Sequence, residues 1–432
     1  MLGGKESWRI TLFYGAAHFG KSLFWYSSEL LFAFFLTEFA GLAPAQMGLV
    51  LVSGFLVSAM IDVVVGVSLQ RWLQDAATAG RLQVVGAVLS SLALAATFLV
   101  VWLPSEVRFA AAIGLGITFR LAFATYDIPQ NALMSLATID RATRLRVAST
   151  RIWFSGAATL LVAASVGPMV AQKSSATGPW FLLGLALAFS VMAVLAAALL
   201  SEQLSRGAAA AQSRAAAPLT PWRPSRLFWL LVAVSVLTTL FTPTFAKLEA
   251  YFAAYTLRSA WWGGTIIIAM ALGIVIGQPL WAQLAHRHSS GRVMAIAATV
   301  QILGLTLFWS LGSAMPQFSA LAAFLFGLGN GGVGTVQWHA FSDVVAREAP
   351  QRAGLAYGVF VGSGKLGFAA GASIIALALE LIDYRDPESQ GVIVLMTALP
   401  ACGAVLLLVV ALALTRSEMR AMPRTPGPRT LS

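Results

Sequence analysis

Long apolar runs separated by short polar segments dominate the pattern of this chain. Runs of about 20 residues have the length of an α-helix that crosses a bilayer, and the strand alternation typical of membrane barrels is missing from the sequence. The runs predict twelve membrane-spanning helices, over residues 11–38, 45–70, 82–103, 107–138, 147–171, 178–201, 228–254, 261–285, 291–312, 316–345, 353–382 and 390–415. Several runs are longer than a bilayer requires, which allows for tilt.

Composition agrees with an integral membrane protein. Of the 432 residues, 58% are hydrophobic and 10% are charged, whereas a soluble domain carries about 25% charged residues. The start of the chain, MLGGKESWRITLFYG, lacks the apolar core and cleavage site of a secretory signal, so we interpret it as a cytoplasmic stub before a retained helix. The single cysteine, Cys402, excludes an intramolecular disulfide and a zinc cluster.

The basic residues predict the orientation in the membrane. Of the 28 Lys and Arg residues, nineteen fall in the termini and the loops on the side of the termini, and four fall in the opposite loops. Because cytoplasmic loops are enriched in Lys and Arg, we expect both termini in the cytoplasm of a bacterium, with the chain a monomer in the inner membrane. These loops account for the net charge of +11, so nucleic-acid binding is not expected.

The chain is predicted to divide into two six-helix halves, residues 1–201 and 228–415, with a cytoplasmic tail over 416–432. The segment 202–227 is Ala-rich, basic and broken by Pro, which is typical of a flexible linker. A basic loop follows the second helix of each half, GVSLQRWLQDAATAGR in one and GQPLWAQLAHRHSSGR in the other. This weak symmetry favours a transporter built from repeats. The predicted fold class is an all-α membrane protein.

Three ionisable residues interrupt the middle of predicted helices: Asp62 in the second, Asp127 in the fourth and Lys365 in the eleventh. A charge at bilayer depth is costly, so it usually faces a cavity or a partner and serves a function. Ser58 lies one turn before Asp62 on the same face. Carboxylates beside a hydroxyl can bind Na⁺ or hold a proton, and a buried lysine needs a carboxylate partner. These four residues are the predicted cation-coupling site, with H⁺ or Na⁺ as the ion.

The first helix carries a polar face within an aromatic sequence. Ser22, Tyr26 and Glu29 are spaced at i, i+4 and i+7, which places them on one side of the helix. Lys21 lies beside Ser22 and can neutralise one of the central acids when no cation is bound. We predict that these four residues contact the substrate.

Three other helices supply further predicted substrate contacts. Arg120 and Asn131 lie on the stripe of the fourth helix that carries Asp127, with an internal salt bridge as the alternative for Arg120. Arg151, about one turn inside the fifth helix, has a planar guanidinium suited to bidentate binding, with snorkelling to the interface as its alternative. Trp338 follows a glycine-rich stretch of the tenth helix.

Two charged residues of the seventh helix have a less definite interpretation. Lys247 and Glu249 lie near its outer half, in the segment FTPTFAKLEAYFAAY. They indicate either an outer gate or a plain interfacial pair. The pattern of the segment favours neither.

Motifs of nucleotide-driven and enzymatic chemistry are missing from the sequence. No Gly-rich loop ends in Lys-Ser or Lys-Thr, and no HExxH, CxxC or Gly-x-Ser-x-Gly occurs. We therefore predict a protein that is not an enzyme and has no cofactor. Its expected partners are a small-molecule substrate and the lipid bilayer.

At these residues the chain resembles the glycoside–pentoside–hexuronide:cation symporter family, the melibiose-permease branch of the major facilitator superfamily. The first helix has FGKS, the second has SAMIDVVVG where the family has D-x-x-x-D-P-x-x-G, and YDIPQNALMSLATIDRATRLRVASTR resembles the family's fourth-helix segment. By this resemblance Asp62 takes the second acid of helix II and Ser58 replaces the first. Asp127 takes the position of the family's acid that contacts the cation and the sugar, and Arg151 takes that of the arginine that contacts the sugar. Lys365 takes the position of the family's lysine in helix XI.

The resemblance implies a major facilitator fold and cation-coupled symport of a small polar solute, glycoside-like or organic-acid-like, by alternating access. The family's sugar-binding acid of helix I is Ser22 here, and its aromatic sugar platform in helix IV is Asn131. These departures leave the solute open. Lysophospholipid transporters of the broader family also use a helix II acid and a helix XI lysine, so an amphiphile transporter is one alternative. A non-transporting membrane assembly or sensor protein is another.

Overall fold

The computed structural model describes residues 4–68, 76–136, 141–206, 222–312, 314–348, 353–386 and 389–421. In these ranges the chain forms twelve helical rods, which we number α1 to α12, and no strand. Their bounds are α1 Gly4–Leu30 with Phe32–Phe34 and the π-helical turn Phe35–Phe39, α2 Pro44–Ser68, α3 Ala76–Phe98 with the 3₁₀ turn Leu99–Trp102, α4 Ser105–Leu136, α5 Arg141–Ala171, α6 Gly178–Arg206, α7 Arg226–Phe241 with Pro243–Tyr251 and the π-helical turn Phe252–Thr256, α8 Ala260–Ile276 with Gln278–Arg287, α9 Ser290–Leu311, α10 Pro316–Glu348, α11 Ala353–Leu381 and α12 Gly391–Ala421.

Eleven of these described rods, α2 to α12, have stretches long and apolar enough to cross a membrane. The remaining rod, α1, has 27 residues in its first segment, about 40 Å at 1.5 Å per residue, but Lys21 and Glu29 interrupt its apolar sequence. The predicted all-α membrane fold is confirmed. We call the end of the bundle where α1 begins and α12 ends the terminal end, and the opposite one the far end.

The helix pairings repeat between α1–α6 and α7–α12. In the first set, α1 packs on α5 and α6, α2 on α4, and α3 on α4 and α6; each pairing recurs six helices later in the second set. The two most extensive pairings between the sets are α2 with α11 and α5 with α8. A shift of six helices converts each of these two pairings into the other. Of the predicted linker, α6 still includes Arg206 and α7 begins at Arg226, while residues 207–221 lie outside the described ranges.

The same backbone turn ends α1 and α7. In each, the residue after the π-helical turn donates its N–H to the first carbonyl of that turn, at 3.0 Å in α1 and 2.9 Å in α7. A left-handed residue follows, Gly41 at φ 69° in one case and Arg258 at φ 50° in the other. Glu38 and Tyr255 are equivalent positions of the two turns, 217 residues apart, and they hydrogen-bond to each other. The two-fold relation between the sets therefore passes between these side chains.

Close contact between the sets makes one glycine sensitive to substitution. A Cβ added at Gly48 of α2 would overlap the Cβ of Ala376 in α11. We expect Gly48→Ala to lower the free energy of unfolding by about 1–3 kcal/mol, the usual cost of overpacking, as measured by thermal unfolding in detergent. The matched control is Gly184→Ala in α6, where no atom lies within 4 Å of the added Cβ. Equal effects of the two substitutions would contradict the prediction.

Candidate functional site

The centre of the candidate site is a salt bridge between α1 and α4. Lys21 Nζ lies 2.6 Å from Asp127 Oδ1 and donates to Asn131 Oδ1 at 3.0 Å. Asn131 follows Asp127 by one helical turn, and its Nδ2 donates to Asp127 Oδ1 at 2.9 Å. The Lys21 side chain is 6% exposed and that of Asp127 is 26% exposed. The centre is thus an ammonium group held by a carboxylate and an amide, with limited access from outside.

Hydroxyl groups extend this centre towards α5. Ser22 Oγ donates to Ser155 Oγ at 3.4 Å, and the Tyr26 hydroxyl lies 3.3 Å from the same oxygen. Ser155 was not among the predicted site residues. Its spacing of four positions from Arg151 is the signal that could have found it, because residues at i and i+4 share a helix face.

A buried histidine connects Arg151 to α4. Arg151 Nε donates to His18 Nε2 at 3.1 Å, and His18 Nδ1 lies 3.3 Å from Gln130 Oε1. Because Nε2 accepts from the guanidinium, the hydrogen-bond network requires the neutral tautomer with its proton on Nδ1. Arg151 is therefore positioned by α1 beside the central salt bridge. Gln130 was not among the predicted site residues, although its spacing of three positions from Asp127 places it near the same helix face.

A second contact joins α2 and α11. Lys365 Nζ donates to Ser58 Oγ at 2.7 Å, and both residues are buried. Lys365 is close enough to Asp127 and Lys21 for Coulombic interaction with both. The Lys365–Ser58 contact and the Lys21–Asp127 salt bridge therefore belong to one electrostatic environment. Asp62 belongs to α2 one turn after Ser58, but its side chain lies outside the described part of the chain. The predicted carboxylate partner of Lys365, Asp62 or Asp127, stays a prediction.

Three buried ionised side chains form a group that we call the three-helix triad, Glu29 of α1, Arg120 of α4 and Lys247 of α7. Glu29 Oε2 lies 2.6 Å from Lys247 Nζ, and Glu29 Oε1 lies 3.3 Å from Arg120 Nη2. The Arg120 guanidinium also lies 4.4 Å from the ring centroid of Phe55. The interfacial-pair interpretation of Lys247 and Glu249 is therefore wrong, because both are buried and the carboxylate partner of Lys247 comes from another helix.

The triad bears on two predicted substrate contacts. Glu29 and Arg120 bind each other in this structure, and each side chain is at most 9% exposed. Their role as substrate contacts stays a prediction, and in the described state it requires the triad to open first. The sequence alternative of an internal salt bridge for Arg120 matches the observed geometry.

Trp338 has different neighbours from the other predicted site residues. It stacks on Tyr357 of α11 with ring centroids 6.5 Å apart and meets Phe360 edge-on at 5.1 Å. It is 48% exposed, so one face is free to contact a solute or lipid. Its predicted contact with the substrate stays a prediction.

A hydrogen-bonded cluster ties the sets together at the far end. Glu38 accepts hydrogen bonds from the hydroxyl of Tyr255, from the hydroxyl of Tyr384 at 2.9 Å and from Arg385 at 3.2 Å. Burial and the Glu38 carboxylate raise the pKa of Tyr384, so its phenol remains a donor. Lys173 Nζ lies 3.7 Å from the centroid of the Tyr255 ring. These contacts link α1, α7, the connection between α5 and α6, and the connection between α11 and α12.

The chemistry open to the central site is ion exchange. A carboxylate with a neighbouring amide oxygen can hold Na⁺, a proton or an ammonium group, and here it holds the ammonium of Lys21. Among the described residues, no group of three His, Cys, Asp or Glu side chains is placed to hold a metal ion.

Comparison with known proteins agrees with this architecture. A family model described as MFS/sugar transport protein matches residues 13–420, and a sequence search of curated proteins found no match. The structure is similar to the nucleoside transporter NupG, at 16% identity over 96% of this chain and 100% of that one, with a TM-score of 0.64. It is also similar to a bacterial homologue of the iron transporter ferroportin in an inward-facing state, at 14% identity, 96% and 100% coverage and a TM-score of 0.65. A peptide transporter, POT in complex with sulfate, matches at 13% identity, 95% and 94% coverage and a TM-score of 0.65.

Proposed function

Because the chain belongs to the MFS/sugar transport family, and is thus a multi-pass secondary transporter and not an enzyme, we propose that it carries a small polar organic solute together with H⁺ or Na⁺. The two helix sets alternate in exposing the central site to the two sides of the membrane. The excess of Lys and Arg on the side of the termini supports an inner-membrane orientation with both termini cytoplasmic. We propose that the chain works as a monomer.

The observation that carries the proposal of coupling is the 2.6 Å contact between Lys21 and Asp127. The tethered ammonium takes the place of a free cation, and Asn131 supplies the second oxygen. A proton or Na⁺ at Asp127 has to displace Lys21, and the freed ammonium can then bind an anionic group of the solute. Cation and solute therefore favour each other's binding, and this reciprocity is what symport requires. Ser58, Asp62 and Lys365 are proposed as the second part of the cation site.

The balance of charge favours an anionic solute. Lys21, Arg151 and Lys365 supply three cations to this region and Asp127 supplies one acid; Asp62 is proposed as a second acid. Binding of a coupling cation increases the positive excess, and a solute carboxylate offsets it. The hydroxyls of Ser22, Tyr26 and Ser155 meet between α1 and α5 and suit the hydroxyls of a sugar acid or hydroxy acid.

Matched solute pairs test this proposal. D-Glucuronate with D-glucose, and lactate with propane-1,2-diol, each differ by a carboxylate in place of a hydroxymethyl group. We expect an acid of one pair to raise the thermal midpoint of the purified protein, with at least a tenfold lower half-maximal concentration than its neutral counterpart. At 100 times its Kd, such a ligand adds about 2.7 kcal/mol to stability. The effect should be larger in Na⁺ than in choline, or at lower pH.

The Arg151→Gln variant tests whether the positive charge of Arg151 contributes to the preference for the acid, because glutamine keeps a hydrogen-bond donor and removes the charge. We expect it to lose part of the difference between acid and neutral solute, because Lys21 and Lys365 remain. Equal binding of both members of each pair would contradict an anionic solute. Stabilisation by lysophosphatidylcholine, with no response to any of the four small solutes, would favour the amphiphile alternative.

A further inference from the structure

Glu249 of α7 is a carboxyl group that neither the central salt bridge nor the three-helix triad uses. It is 0% exposed, and neither Oε1 nor Oε2 has a hydrogen-bond partner among the described residues. An isolated ionised carboxylate in such surroundings is prohibitively costly, so the group binds a proton instead.

The packing of α8 seals this carboxyl group. A Cβ added at Gly263 would lie 3.1 Å from Glu249 Oε1 and would overlap the Cβ of Ala253. The missing side chain at Gly263 thus lets α8 close directly over the carboxyl group. The facing segment of α8, Ala260–Ile276, contains no ionisable side chain.

The other elements packed against this part of α7 offer no free counter-charge in the ranges described. Between Gly391 and Thr415, α12 has no acidic or basic side chain, and its one ionisable group is the thiol of Cys402. The charged groups and the buried tyrosine on α1, α5, α7 and α11 have other partners: Lys21 with Asp127, Lys247 with Glu29, Arg151 with His18, Tyr251 with Thr37, Lys365 with Ser58, and Glu380 with the backbone of Ala45.

We propose that Glu249 is a proton-binding site of the second helix set, separate from Asp127. The carboxyl group holds its proton while α8 packs against α7 at Gly263. When the two helices part, water reaches the carboxyl group, accepts the proton and solvates the carboxylate that remains. The evidence for this site is the packing around Glu249, and the proposal does not depend on which ion or solute the central site binds.

Infrared spectroscopy of the purified full-length protein tests the proposal without a substrate. At about pH 8, exposed carboxyl groups are ionised, so the C=O stretch of a protonated carboxylic acid reports buried groups. We expect this band in the parent protein and its loss in Glu249→Gln, which has the same shape and the neutrality of the protonated acid. Glu380→Gln, a substitution in α11 near the far end, should retain the band, as should Asp127→Asn.

Each outcome bears on the proposal. If the band is missing from the parent protein, or persists undiminished in Glu249→Gln, the proposal is overturned. Loss of the band in Asp127→Asn but not in Glu249→Gln would put the proton at the central site and overturn it as well. Gly263→Ala supplies a second test that needs no change at the carboxyl group. By pushing α8 away it should admit water, and the band should then disappear at a lower pH than in the parent protein.

Discussion

The Glu29→Gln protein is expected to unfold with a free energy about 3–5 kcal/mol lower than that of the parent protein, the usual cost of breaking a buried ion pair. The substitution removes the carboxylate that holds both Arg120 and Lys247. Two cations then remain buried between α4 and α7 without the triad's counter-charge. Thermal unfolding in detergent, monitored through the helix content, measures the loss of stability.

Two comparisons separate this effect from the loss of any acidic residue. Glu380→Gln changes an exposed acid that accepts one backbone hydrogen bond, from Ala45, and should have a much smaller effect. The double variant Glu29→Gln with Lys247→Met removes one stranded cation along with the carboxylate. It should be more stable than the sum of the single losses predicts, by about 0.5–3 kcal/mol of coupling. A Glu29→Gln protein as stable as Glu380→Gln would show that the triad contributes little.

The triad also shows what a helical pattern can and cannot predict. The spacing of Glu29 with Ser22 and Tyr26 indicated a polar face of α1, and the position of Arg120 indicated a buried cation. The partner of Glu29, however, is Lys247, 218 positions away. Periodicity reports which residues share a face of one helix, whereas the identity of the neighbouring helix depends on the packing of the whole bundle.

The central salt bridge was more accessible to sequence reasoning. Lys21, Asp127 and Asn131 stood out because polar residues are rare at membrane depth, and a lysine among few acids limits the possible pairings. The same reasoning could not find His18 as the partner of Arg151, since an imidazole in an aromatic helix is equally compatible with plain packing.

The helices themselves followed from apolar length, and their ends followed less well. The predicted tenth and twelfth helices ended at 345 and 415, whereas α10 continues to Glu348 and α12 to Ala421. These last turns are polar, so hydropathy does not mark them as membrane-spanning, yet their backbone hydrogen bonds continue the helix. The π-helical turns that end α1 and α7 likewise have no local sequence signal. They lie where the two equivalent chain segments contact each other through Glu38 and Tyr255.

Replacing Lys21 by Met is expected to create a Na⁺ response at least tenfold stronger than that of the parent protein. In the parent protein, the tethered ammonium occupies Asp127 Oδ1 at 2.6 Å and competes with any free cation. Methionine has a similar length and no charge, so Asp127 and Asn131 are left as an open pair of oxygen ligands. At 100 times its Kd, Na⁺ adds about 2.7 kcal/mol to the stability of the native state. Thermal midpoints in NaCl and in choline chloride of equal ionic strength measure the response.

The variant Lys21→Met with Asp127→Asn is the control, because it has the same apolar side chain on α1 but no carboxylate. It should respond equally to NaCl and to choline chloride. If Lys21→Met alone is likewise indifferent to Na⁺ but becomes more stable as the pH falls, Asp127 is a site for protons and excludes metal cations. If it responds to neither, the carboxylate does not bind the coupling ion, and Lys21 only neutralises a structural acid. The oxygens of Asp127 and Asn131 that both contact Lys21 Nζ favour a Na⁺ response of the Lys21→Met protein.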